Sequence, residues 1–114
     1  STLLSRLDRG RVPVTGAREL LVGREMARQL ELQVGDEVVL VAPAADGSMG
    51  NDLFTLVGIF ATGTPAVDAS YAVLPLADLQ TLMALDRGRI HEVAVAVTRS
   101  WDTPAIASSA LRIE

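Results

Sequence analysis

Cysteine is absent from the 114 residues, which excludes disulfides and thiol chemistry and leaves the compartment open, since cysteine-free domains occur on both sides of a membrane. Histidine occurs once, as His91. A zinc or iron site draws on several convergent His, Cys or carboxylate ligands, so no metal site is expected. Aromatic residues make up 4% of the chain, and the core has to be built from Val, Leu, Ile and Ala. The formal net charge is -4, with arginines scattered in mixed-charge stretches such as Arg6-Leu7-Asp8-Arg9. A phosphate backbone needs clustered basic side chains, so the charge argues against a nucleic-acid surface. No apolar run approaches the ~20 residues of a membrane-spanning helix.

What is present is a well-patterned core. With 49% hydrophobic and 21% charged residues, the chain has the apolar content of one compact domain. Leu3, Leu4 and Leu7 lie at helical spacing before Gly10 and predict a short N-terminal helix over Thr2 to Leu7. Glu19 to Val22 reads as a strand, and about Gly23 to Leu30 as a helix with Met26, Ala27 and Leu30 on one face. The stretch Leu32 to Asp36 closes that helix, with Gly35 at a positive-φ turn position. Glu37 to Ala42 is nearly continuous in Val and Leu and predicts a strand covered on both faces. Asp46, Gly47, Ser48, Gly50 and Asn51 predict a long hairpin loop from Ala44 to Asp52.

The second strand of that hairpin runs from Leu53 to Ala61, where Gly58 marks a bulge or a close backbone approach. Thr62 to Asp68 reads as an exposed loop, Ser70 to Leu74 as a strand, and Ala77 to Leu85 as a helix. Ile90 to Thr98 alternates Val with Ala as a strand does. Thr103-Pro104 has the form of a helix start, and Ala105 to Leu111 reads as a helix left unfinished at Glu114. A chain that opens on Ser1 and stops there is expected to be a piece of a longer protein. The order of elements is that of an α+β fold. No internal repeat is legible.

The search for chemistry yields little. His91 stands at the start of an apolar strand, where a strand-end histidine is the ordinary reading, although it is the one side chain that titrates near neutrality. Gly47-Ser48-Met49-Gly50 lacks the G-x-S-x-G spacing of a nucleophile elbow, and the glycines form neither a dinucleotide fingerprint nor a phosphate loop. Asp36-Glu37 and Asp46 with Asp52 are acids of the kind that solvated turns carry. No catalytic residue and no cofactor are expected. Two places could meet a partner protein: Pro65, Ala66 and Val67, apolar groups on a segment that turn residues force outward, and Trp101, which either seals the core edge or is a contact.

Several segments together resemble a family. They are Leu21-Val22-Gly23-Arg24-Glu25-Met26-Ala27-Arg28-Gln29-Leu30, the pattern Leu32-x-Val34-Gly35-Asp36-x-Val38-x-Leu40, Phe54-x-Leu56-Val57-Gly58-Ile59-Phe60, the loop Gly63 to Asp68, and Tyr71 to Gln80. Their order is similar to that in the extracytoplasmic domain of MacB-like ABC transporter permeases, in the lipoprotein-releasing LolC/LolE branch, over about residues 10 to 111.

The resemblance implies a non-catalytic domain on the periplasmic or outer side of the cell inner membrane, between the first two membrane helices of a permease subunit. It implies a β-rich sabre-like part over about residues 11–85 and the start of a returning βαβ porter-like part over about 90–114. The implied partners are the other permease subunit, a cytoplasmic ABC ATPase, and an unidentified cargo or carrier protein. The work implied is mechanotransmission, in which ATP-driven motion of membrane helices moves the external domain. The Leu32 to Leu40 pattern is also similar to the glycine-aspartate turn of small pseudo-barrels that bind molybdopterin dinucleotides or DNA, an alternative from another class.

Overall fold

The computed structural model describes residues 5–43, 46–83, 92–99 and 107–113. Among these, the elements follow in the order β1 (Leu7–Gly10), β2 (Glu19–Gly23), α1 (Arg24–Leu30), β3 (Glu37–Pro43), β4 (Met49–Phe60), α2 (Pro65–Ser70), β5 (Tyr71–Leu74), α3 (Leu76–Met83), β6 (Glu92–Arg99) and β7 (Ala107–Ile113). The fold is α+β, as the patterning leads one to expect.

The strands pair in the order β1-β4-β2-β5-β7-β6-β3, and β3 pairs again with β4. Six strands therefore close into a ring, with β1 outside it on β4. Closure depends on the 12-residue length of β4. Its first part runs antiparallel to β3 from Met49 to Thr55, and its second runs parallel to β2 from Thr55 to Phe60. Thr55 faces Glu37 on one side and Glu19 on the other. Each strand of the ring thus has a paired neighbour on both sides.

The pairings repeat internally. Strand β2 is parallel to β4 and β3 antiparallel to it; β5 is likewise parallel to β7 and β6 antiparallel to it. The two units, β2-α1-β3-β4 and β5-α3-β6-β7, meet through antiparallel contacts of β2 with β5 and of β3 with β6. The sequence shows no such repeat because pairing constrains hydrophobic pattern far more than residue identity.

The main core gathers Leu20 and Val22 of β2, Val38 and Leu40 of β3, Phe54, Leu56 and Ile59 of β4, and Ala72 and Leu74 of β5. Met26, Ala27, Leu79 and Met83 of the helices close over them. On the other face, Leu21, Val57, Phe60 and Val73 form a smaller cluster against Leu7 and Tyr71. Side chains alternate between faces along a strand, yet Leu56 and Ile59 both enter the main core. The register slips between Leu20–Leu56 and Leu21–Gly58, so Val57 is an inserted residue that reverses the alternation. Gly58 satisfies both expectations for it, since a Cβ there would lie 2.6 Å from the Arg11 carbonyl oxygen.

Helix α1 ends with Glu31 at φ 56, the Leu32 N–H reaching the Ala27 carbonyl at 2.8 Å and that of Glu31 the Arg28 carbonyl at 3.3 Å, a Schellman closure. The chain then turns through Gln33 to Asp36. The Asp36 N–H bonds the Gln33 carbonyl at 3.0 Å, and the Asp36 carboxylate accepts the Gln33 N–H at 2.9 Å. Gly35 takes φ 102 as expected. Its N–H donates to the Leu56 carbonyl at 2.8 Å, and the Leu56 N–H donates to the Asp36 carbonyl at 2.9 Å. The turn is thus tied to the middle of β4.

Several local expectations are corrected. Leu7 belongs to strand β1 rather than to a helix, because pairing with Phe60 places it against the smaller cluster. The hairpin loop is shorter than expected: Pro43 pairs with Met49, and a strand end tolerates proline's missing N–H. Val38 and Leu40 are buried while Val39 and Val41 are half-buried, so β3 is fully covered on one face only. Ala107 to Ile113 is a strand instead of the end of a helix. It lies between β5 and β6 and pairs with both, and ladders on both sides override a weak local preference. Thr103 and Pro104 lie outside the described residues.

Candidate protein-contact surface

The segment expected to be an exposed loop is instead the short helix α2 on a braced approach. Thr64 precedes it in extended conformation and Pro65 occupies its first turn, where the missing N–H costs nothing and φ is already helical. The same Thr-Pro signal singled out at Thr103 was available here. Pro65 and Ala66 are exposed, and Val67 is half-buried.

Asp68 organises this corner. It is 3% exposed, and its Oδ1 accepts the Thr62 N–H at 2.9 Å and the Thr62 hydroxyl at 2.7 Å. The Thr62 hydroxyl oxygen in turn accepts the Thr64 N–H at 3.2 Å. The Thr62 carbonyl accepts from Arg6 Nη1 at 3.1 Å, and the Asp68 N–H returns to the Thr64 carbonyl at 3.0 Å. A buried carboxylate oxygen that accepts from both the backbone and the side chain of one loop residue holds the loop in one shape. The pair Pro65–Ala66 therefore presents apolar surface on a fixed ledge. Nothing in residue type alone sets Asp68 apart from the other acids, and no sequence pattern marks it.

A second braced loop, 11–18, adjoins β2. Arg11 and Glu19 form a two-pronged ion pair, one arm at 2.7 Å, and Glu19 Oε1 also accepts the Val14 N–H at 2.9 Å. The Arg11 guanidinium first, and the Val14 N–H second, hold the Glu19 carboxyl at about 2 against an ordinary 4.5. Asp78 of α3 accepts the Gly16 N–H at 3.0 Å. Val14 stands 56% exposed at the tip.

The remaining sequence candidates serve as turn chemistry. Ser48 donates its hydroxyl and its N–H to Asp46 Oδ1, which lowers the Asp46 pKa, and Asp52 accepts the Leu53 N–H at 2.8 Å. His91 and Trp101 lie outside the described residues. Among the described residues no group of three or more His, Asp or Glu is placed to hold a metal, and no helix is long and apolar enough to cross a membrane.

Fold and surface together define a small α+β domain built on a closed mixed ring, with apolar residues presented on braced corners. The chain matches no protein-family profile. It is similar to the lipoprotein-releasing system transmembrane protein LolC of Xylella fastidiosa, with 29% identity over 97 residues in strain Temecula1 and the same in strain 9a5c. The match takes in 76% of this chain and 22% of each relative, so the chain spans about a fifth of the length of these curated relatives.

Proposed function

We propose that this chain is an extracytoplasmic domain of an ABC transporter permease subunit, without catalysis of its own, that couples ATP-driven membrane-helix motion to export or lipoprotein release. The likeness to LolC along most of the chain carries this reading. The braced ledge at Pro65 and Ala66 supplies the kind of surface it needs, since a domain without chemistry contributes to transport only by passing motion to a partner through rigid contacts. In this reading the domain faces the periplasm or the outside, and the full protein works with a second permease subunit and a cytoplasmic ATPase.

These 114 residues hold no cysteine, so the orientation is testable in a full-length protein from which any cysteine outside them has been replaced. A cysteine introduced at exposed Ala66 in the full-length protein is expected to react with a membrane-impermeant maleimide in intact spheroplasts. Labelling only after permeabilisation would overturn the assignment. Purification of the full-length protein is expected to bring with it a subunit that hydrolyses ATP.

A second reading rests on a specific observation, the closed ring with its Gly35–Asp36 turn bonded to Leu56. Under it the chain is a small barrel that binds a cofactor or DNA. Calorimetry with molybdopterin-type nucleotides and with duplex DNA separates the two: a saturable micromolar site for either ligand favours the barrel module.

A further inference from the structure

Asp46 precedes Gly47, and no other aspartate of the chain is followed by glycine. The pair lies in the turn between β3 and β4, beyond the last ladder contact of Pro43 with Met49, and Asp46, Gly47 and Ser48 are all exposed. Gly47 takes φ 87, and a Cβ built on it would meet nothing within 4 Å. Its N–H makes no hydrogen bond among the described residues. By contrast, the N–H that follows Asp78 is that of Leu79 and donates to the Pro75 carbonyl at 3.2 Å, and the N–H that follows Asp68 lies inside α2. The hydroxyl and the N–H of Ser48 donate to Asp46 Oδ1 at 2.5 Å and 3.0 Å.

An aspartyl carboxyl next to an unhindered peptide nitrogen has an intramolecular reaction open to it, helped by proximity. The nitrogen gives up its proton and bonds to Cγ of the neutral carboxyl, one carboxyl oxygen leaves as water, and a succinimide ring closes. Water then opens the ring at either carbonyl, restoring Asp or leaving isoaspartate, in which the main chain runs through the former side chain. Ring closure needs the backbone to turn freely, which glycine permits and which a residue locked in a ladder or helix does not. We propose that Asp46–Gly47 is a site of spontaneous isoaspartate formation in the folded chain, and that the Ser48 side chain restrains it by holding the Asp46 carboxylate. Both Ser48 bonds favour the ionised form, which cannot lose water, and fix its oxygen in one place. The proposal needs only this turn and stands apart from the transporter reading.

The test incubates the 114-residue chain at neutral pH and physiological temperature in water enriched in heavy oxygen. Isoaspartate is counted by methyl transfer from S-adenosylmethionine with an isoaspartyl methyltransferase, and peptide mass spectrometry locates it together with the heavy oxygen that ring opening adds. The mark is expected at Asp46 ahead of every other aspartate. Ser48→Ala should raise its rate about threefold or more, the factor that one modest hydrogen bond supplies, with circular dichroism unchanged. Asp46→Glu should abolish the mark, because its longer side chain would have to close a larger and less favoured ring. In concentrated urea, where the turn is lost, the native chain and Ser48→Ala should react at the same rate. Isoaspartate that appears first at another aspartate, no mark at Asp46 in either folded chain, equal folded rates for the native chain and Ser48→Ala, or a difference between them that persists in urea each overturn the proposal.

Discussion

The backbone of Asp68 lies directly on Gly23, so that a Cβ added to Gly23 would fall 2.0 Å from the Asp68 carbonyl oxygen. Gly23 is the last residue of β2 and precedes α1. Its missing side chain is what lets α2 close against the strand that anchors the ring.

Gly23→Ala is therefore expected to destabilise by about 1–3 kcal/mol, as overpacking of a tight contact does. Because the obstructing atoms are main chain, α2 must move away. Urea denaturation should show the loss, and amide exchange at Thr62 to Asp68 should speed up more than exchange in β3.

The Asp68 carboxylate carries a separable share. Asp68→Ala leaves the Thr62 N–H without its acceptor in a partly buried corner, at an expected cost of about 1–3 kcal/mol. Thr62→Val keeps the N–H bond and loses only those made by the hydroxyl, with an expected cost nearer 1 kcal/mol. Equal losses in the two variants would show that the hydroxyl, and not the backbone donor, governs the corner.

Glu19 gives a pH dependence of known sign. Its folded pKa is depressed from 4.5 to about 2, so the stability it contributes is complete above about 4.5 and is lost as pH falls toward about 2. The stability difference between the native chain and Glu19→Gln is thus expected to be larger at about pH 6 than at about pH 3. A difference that grows on acidification would contradict the assigned pair with Arg11.

At Gly35 the cost of substitution is conformational. A Cβ there would meet nothing within 4 Å, yet φ is 102. Gly35→Ala is expected to lower stability by about 1–2 kcal/mol and Gly35→Val by more, because a branched side chain tolerates positive φ least. Gly35→Asn should be the mildest of the three. Thermal denaturation of the set checks the order.

The short apolar stretches Glu19 to Val22 and Glu37 to Ala42 announce strands, and Met26 and Ala27 announce the inward face of α1. Gly35 betrays its turn because it falls where a helical pattern stops and a strand pattern starts. These features depend on neighbours in sequence, so the sequence by itself determined the α+β class, the order of most elements and the turn after α1. The tertiary structure alone decided the rest. Ala107 to Ile113 reads locally as helix and becomes a strand because β5 and β6 flank it. Val57 turns from an ordinary strand residue into a bulge because β2 pairs beside it. Asp68, one acid among many, becomes a buried clamp only where α2 folds back on Thr62 and Gly23. In each case the deciding hydrogen bonds join segments distant along the chain or groups oriented only after those segments meet, and hydrophobic period says nothing of either.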